Sequence, residues 1–204
     1  MTKEENMKQE RLNRQFKFIQ EVDKEKMIFR QTYISDSSRK ENDAEHAWHA
    51  ALMTILLSEY ANEKIDVLKV VTMLLIHDIV EIDAGDTYAY DEEVKKTQRQ
   101  RESVAAERIY ALLPKDQGDR LHALWEEFEE QKTPEARFAH VMDNLQPMML
   151  NALTDGKSWE EHGTLLSNIL ERNAQTPLGS AALWEYAKET WISENVKNGK
   201  IKDA

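Results

Sequence analysis

The stretch LLIHDIVEIDAGDT, residues 74–87, sets His77 and Asp78 side by side inside the most hydrophobic run of the chain. Val70, Val71, Met73, Leu74, Leu75, Ile76, Ile79 and Val80 surround the pair. A helix that is apolar nearly all round is buried on most of its surface. An ionised carboxylate there is costly unless it is paired or bound to a cation. Taken alone, the pair has an ordinary explanation: His77 donates to a carbonyl and Asp78 meets an Arg from a neighbouring helix. Two other positions repeat the pattern, however. His46 enters an apolar helix in DAEHAWHAALMTILL, and Asp143 is enclosed by Val141, Met142, Leu145 and Met148. Convergence on one ion explains all of these groups together, whereas separate explanations need three unrelated buried partners. Two nitrogen and two oxygen donors suit a divalent transition metal, with positions left open for water and substrate. Such a donor set admits Mn, Fe, Co, Ni or Zn. Glu81, one helical turn after His77, is placed to exchange a proton with water or a leaving oxygen. Asp86, just after Gly85, can orient the nucleophile or the departing group.

Helical spacing dominates the elements that must carry these residues. Leu12, Phe16 and Ile19 recur at i, i+4 and i+7, as the core-facing stripe of a first helix does. Asn42 and Asp43 cap AEHAWHAALMTILLSEYA, and Asp66 caps VLKVVTMLLIHDIVEI, which ends near the turn at 83–86. Further helices are expected over about 94–113, stopped by Pro114, and over 119–130. Thr133, Pro134 and Glu135 start a helix that runs through RFAHVMDNLQPMMLNAL with a bend at Pro147. Two more, over 159–171 and 180–196, complete an all-α bundle of about seven to nine helices. The charged tail NGKIKDA reads as loose. The 204 residues are expected to form one domain, with a core over about 30–150 and C-terminal helices over 158–197 packed on it.

Composition excludes several classes. The formal charge of −11 opposes binding to a nucleic acid polymer, which needs clustered Lys and Arg. A small anionic ligand stays compatible, because a metal ion and one or two Arg reverse the sign locally. There are no cysteines, so disulfides, thiolate metal sites and cysteine nucleophiles are out, and a cytoplasmic setting is expected. No run is long and apolar enough to span a bilayer, and MTKEENMKQE lacks the apolar segment of a secretory signal. No Gly-rich phosphate-cradling loop is present, which argues against a kinase.

The ordered set His46, His77-Asp78 and Asp143 resembles the HD-domain metal-dependent phosphohydrolases, most closely the branch that includes the bacterial 5′-deoxynucleotidases. Ala44-Glu45-His46 matches the Glu-His that opens a helix there. HDIVEIDAGD matches a doublet followed by Glu and Gly-Asp, and MDNLQP matches the context of the last acid. The likeness covers about Arg30 to Leu150. It implies that His46, His77, Asp78 and Asp143 hold one divalent metal, and that Glu81 and Asp86 share the acid–base work. It implies that Arg30 and Tyr33, in MIFRQTY, hold the phosphate and nucleoside, with Arg39 a further phosphate contact. The branch usually carries Trp where Tyr33 stands. It also implies a nucleoside 5′-monophosphate as substrate and a homodimer, for which the apolar AALWEYA offers a contact. His49 is read as support behind the ligands, His122 and His140 as outside the ligand set, and His162 as a capping or surface group. Two rivals stand beside this reading: an HD-type phosphodiesterase or triphosphohydrolase, and a catalytically silent domain stabilised by its metal.

Overall fold

The computed structural model describes residues 2–85 and 92–203, with backbone alone at 92–96. The expected all-α architecture is what these residues adopt. Helix α1 (Lys3–Val22) and a 3-10 turn lead into a two-stranded antiparallel sheet, β1 (Phe29–Tyr33) and β2 (Lys40–Asn42). Then follow α2 (Asp43–Leu57), α3 (Val67–Ile76), α4 (Glu81–Ala84), α5 (Glu92–Tyr110), α6 (Lys115–Glu130) and α7 (Pro134–Leu153). The C-terminal part adds α8 (Lys157–Glu161), α9 (Leu166–Arg172), α10 (Thr176–Gly179), α11 (Ala181–Ala187) and α12 (Ser193–Lys197).

Local chemistry sets the boundaries of the helices that matter most. Asn42 and Glu45 form a reciprocal capping box that starts α2 four residues before His46. Asp66 caps α3, and Thr133 with Pro134 starts α7. Helices α2, α3 and α7 pack against each other around Ala50, Val70, Met73, Leu74, Val141, Met142 and Leu145. A second core joins Phe18 of α1 to Ile76, Ile79, Ile109, Tyr110 and Trp125. Gly179 is required where α10 crosses α7, since a Cβ there would lie 2.5 Å from the Arg137 carbonyl oxygen.

Several expectations are corrected. The sheet was not foreseen, because strands of five and three residues leave little alternation to read. The long helix from Asp66 is interrupted: residues His77–Val80 form a 3-10 turn before α4. The His77 Nδ1–H donates to the Leu74 carbonyl at 2.8 Å, engaging an oxygen that a continuing α-helix would bond through its own backbone. The helix expected over 159–171 breaks at Gly163, whose φ of +59° suits a residue without a side chain. The tail is not loose. Ile201 is buried, and the backbone of Lys202 bonds Thr164 and Leu166 just after that break. AALWEYA turns Leu183, Trp184 and Ala187 into the core, so most of that apolar surface is used within the chain. Conversely, Leu12, Phe16 and Ile19 of α1 are exposed, and it is Phe18 that packs inward.

Candidate metal centre

The junction of α2, α3 and α7 brings His46, His77, Asp78 and Asp143 together. One donor atom each from His46, His77 and Asp143 lies within 4.8 Å of the others, the one such group of three or more donors among the described residues. Asp143 Oδ1 is 3.0 Å from His46 Nε2 and 3.6 Å from His77 Nε2. Asp78 Oδ2 is 3.1 Å from His77 Nε2 and 3.9 Å from His46 Nε2. Each imidazole is anchored at its other nitrogen, His77 by the Leu74 carbonyl and His46 by Gln146 at 2.7 Å. The buried His77 Nε2 makes no hydrogen bond despite two carboxylates close by. Buried imidazole and carboxylate donors crowded around one point, one of them with no hydrogen bond at all, are arranged as ligands are, so these residues fit a divalent cation.

Electrostatics agrees. Burial opposes a charge on His77, but Asp78 and Asp143 raise its pKa well above the ordinary value. Burial likewise opposes the carboxylates, yet His77 and Arg30 hold Asp78 below the ordinary range, and His46 and His77 hold Asp143 well below it. The field at this point favours positive charge. His46 departs from this: burial, reinforced by Arg30, keeps its pKa low and the ring neutral, as a ligand must be. Arg30 Nη1 reaches Asp78 at 2.7 Å and the fully buried Asp43 at 3.2 Å.

Above the cluster lies a cavity of about 380 Å³, within the usual range for a small-molecule site. Its walls include Arg30, Glu81, Glu102, Glu129 and Trp159, and it extends to Arg137 and Arg172. One face of α7 lines it with His140, Asp143, Asn144, Pro147 and Asn151. Pro147 lies inside the helix and lacks the N–H that would bond the Asp143 carbonyl.

A model of the HD domain matches residues 22–184. The chain belongs to the HD domain family. A predicted metal-dependent phosphohydrolase from Magnetospirillum magnetotacticum has 46% sequence identity and a TM-score of 0.89, over 94% of this chain and 95% of that one. A conserved hypothetical protein from Pyrococcus furiosus, 21% identical with a TM-score of 0.61 over 90% and 99% of the two chains, shares the fold. Among curated proteins, the human 5′-deoxynucleotidase HDDC2 is 32% identical over 56% of this chain and 54% of its own length. The Xenopus laevis protein of that name is 30% identical over 56% and 55%. The chain thus spans about half the length of these curated relatives.

The HD domain distributes the other candidate residues unevenly. Glu81 is buried and lines the cavity. Asp86 lies outside the described residues. Tyr33 and Arg39 are not brought to the cavity. The Tyr33 hydroxyl donates to Glu161 at 3.0 Å, and the ring carries Lys157 Nζ 3.7 Å from its centroid. Arg39 pairs with both oxygens of Glu45, the residue that also closes the α2 capping box. Neither lines the cavity, and each is engaged by an acidic partner of its own. His140 lines the cavity with its Nε2–H on the Phe128 carbonyl and its ring stacked on Phe128, and burial lowers its pKa to about 4. His122 stacks on Tyr110 away from the cluster, and His162 Nδ1 donates to the Ser158 carbonyl. Sequence reasoning missed Arg137, Arg172, Trp159, Glu102 and Glu129 as wall residues. They come from separate helices, and no motif signals their meeting.

Proposed function

We propose that this HD protein is a metal-dependent phosphohydrolase acting on nucleoside 5′-monophosphates, deoxyribonucleotides foremost, to give nucleoside and phosphate. The observation that carries the reading is that two imidazoles and the Asp143 carboxylate from distant segments face one point, with Asp78 3.1 Å from His77, at the floor of a cavity of about 380 Å³. In this reading His46, His77, Asp78 and Asp143 hold one divalent ion. When bound, the ion acidifies water and offsets phosphate charge. Glu81, buried beside the cluster, exchanges the proton with water or the leaving oxygen, and Asp86 shares that work. Arg30 holds Asp78 in place and offers its remaining donors to phosphate oxygens. The names of the curated relatives support the monophosphate substrate, and a cytoplasmic setting belongs to the same proposal; among the described residues no helix is long and apolar enough to cross a membrane.

Arg137 and Arg172 on the cavity wall favour one alternative, a substrate with a longer phosphate chain. A metal-by-nucleotide grid separates the readings. Chelator-treated protein is supplied with Mn²⁺, Co²⁺, Ni²⁺ or Zn²⁺ and given deoxy- and ribonucleoside mono- and triphosphates. Metal-dependent release of inorganic phosphate from monophosphates is expected. Release of pyrophosphate or tripolyphosphate alone would move the assignment to the alternative, and bound metal with no turnover would leave a silent domain.

The homodimer is proposed through a different face from the one AALWEYA suggested. Helix α2 exposes Trp48 (61%), Leu52, Ile55 and Leu56 (65%), and the adjacent α3 exposes Leu68 and Leu75. Residues 46–58 carry no Asp, Glu, Lys or Arg. A helix apolar on both faces needs cover on both. The protein is expected to sediment as a dimer, and Leu52→Glu with Leu56→Glu to yield a folded monomer. A monomeric wild type at micromolar concentration would reject this face as a self-contact.

A further inference from the structure

Gln146 is fully buried on α7, three residues after Asp143, and neither the cavity nor the acid–base groups involve it. All of its polar atoms are engaged. Its Oε1 lies 2.7 Å from His46 Nδ1, and its Nε2 lies 2.7 Å from Glu41 Oε1 and 3.2 Å from His49 Nδ1. An amide can face these neighbours in one sense only. Burial raises the Glu41 carboxyl to about 7, and in its ionised form, above that pH, it accepts and cannot donate, so the NH₂ must face it and the oxygen must face His46. The His46 proton is thereby fixed on Nδ1, leaving the Nε2 lone pair directed at Asp143 and the metal point. Glu41, buried on β2, thus determines the protonation pattern of a ring it does not touch.

We infer that Gln146 is a positioning residue for the metal centre, with Glu41 setting its amide orientation and His49 taking the second amide hydrogen. This rests on the proposed ligand role of His46, so the test begins by showing that wild type binds the ion. The anchor behind a ligating imidazole is worth about 10–100-fold in metal affinity where it has been removed from other proteins. Gln146→Leu is therefore expected to weaken Co²⁺ binding by about that factor, measured by competition with a chromophoric chelator. In the Co²⁺-loaded wild type, two exchangeable imidazole N–H proton signals are expected at paramagnetically shifted positions, from His46 and His77. Gln146→Leu should lose or broaden the one that Gln146 protects.

The exchange Glu41→Gln with Gln146→Glu reverses amide and carboxylate while keeping an acceptor against His46. It is expected to recover affinity to within a few-fold of wild type and to restore the second N–H signal. Glu41→Gln alone should fall between, since its amide no longer dictates the orientation of Gln146. A folded Gln146→Leu protein with wild-type Co²⁺ affinity and both N–H signals overturns the inference. Should Gln146→Leu fail to fold, the other variants decide: unchanged affinity and signals in Glu41→Gln, with the exchange binding no better than background, overturns it equally. If wild type binds no Co²⁺, the metal reading itself has failed, a different result from loss of the anchor.

Discussion

Asp143→Asn is expected to lower turnover by about 10³-fold or more and to leave the purified protein largely without metal. The carboxylate faces both imidazoles through Oδ1, and its ionised form is favoured so strongly that burial does not neutralise it. Asn preserves shape and removes the charge. The lost charge stabilisation from a bound ion amounts to several kcal/mol, and each 1.36 kcal/mol is a factor of ten in rate. The measurement is elemental analysis of the variant beside its rate on the best nucleotide of the grid. A variant with wild-type metal content and a rate within tenfold of wild type would show that Asp143 is a core acid with no part in the chemistry.

Arg30→Ala is expected to cost about 3–5 kcal/mol of folding stability, because it leaves buried carboxylates without their cation. Asp43 has no exposed surface, Asp78 is nearly as enclosed, and both take a bond from Arg30 Nη1. Arg30→Lys keeps the charge but not the planar fork, so it should fall between. The sign of the pH effect follows from the shifts. In wild type Asp78 is held below its ordinary value, with Arg30 one of the causes, so its contribution is present above the unfolded pKa and is lost as pH falls. Without Arg30, burial gains weight and the carboxyl becomes easier to protonate, so the deficit of the variant shrinks towards low pH. Urea unfolding at about pH 3 and at pH 8, on either side of the ordinary carboxylate value, with chelator present, reads both effects. Adding Asp43→Asn to Arg30→Ala should recover part of the loss. An Arg30→Ala protein as stable as wild type at pH 8, with only a raised KM, would mean that Arg30 serves the phosphate rather than its neighbouring carboxylates.

These two variants also mark where reading the chain succeeds and where it stops. Asp143 was recognisable because an acid among Val141, Met142, Leu145 and Met148 has no cheap solution except a cation. Arg30 was found through the resemblance, but as a phosphate contact; that it bridges Asp43 and Asp78 depends on β1 lying against the start of α2. Tyr33 and Arg39 were candidates through the same resemblance. Glu161 and Glu45 hold them elsewhere, and Glu161 lies 128 residues away from Tyr33 in the chain.

Sequence by itself determined the helical class, the caps at Asn42, Asp66 and Thr133, and the residues able to hold an ion, because burial cost and periodicity are local properties of a chain. Tertiary structure alone decided the 3-10 turn at His77, the outward stripe of α1, the burial of the tail at Ile201 and the amide of Gln146 behind His46. Each of those depends on which surfaces meet between segments separated in the chain, or on a carbonyl claimed by one side chain. Spacing along a helix says which residues share a face, and not what the rest of the chain lays against it.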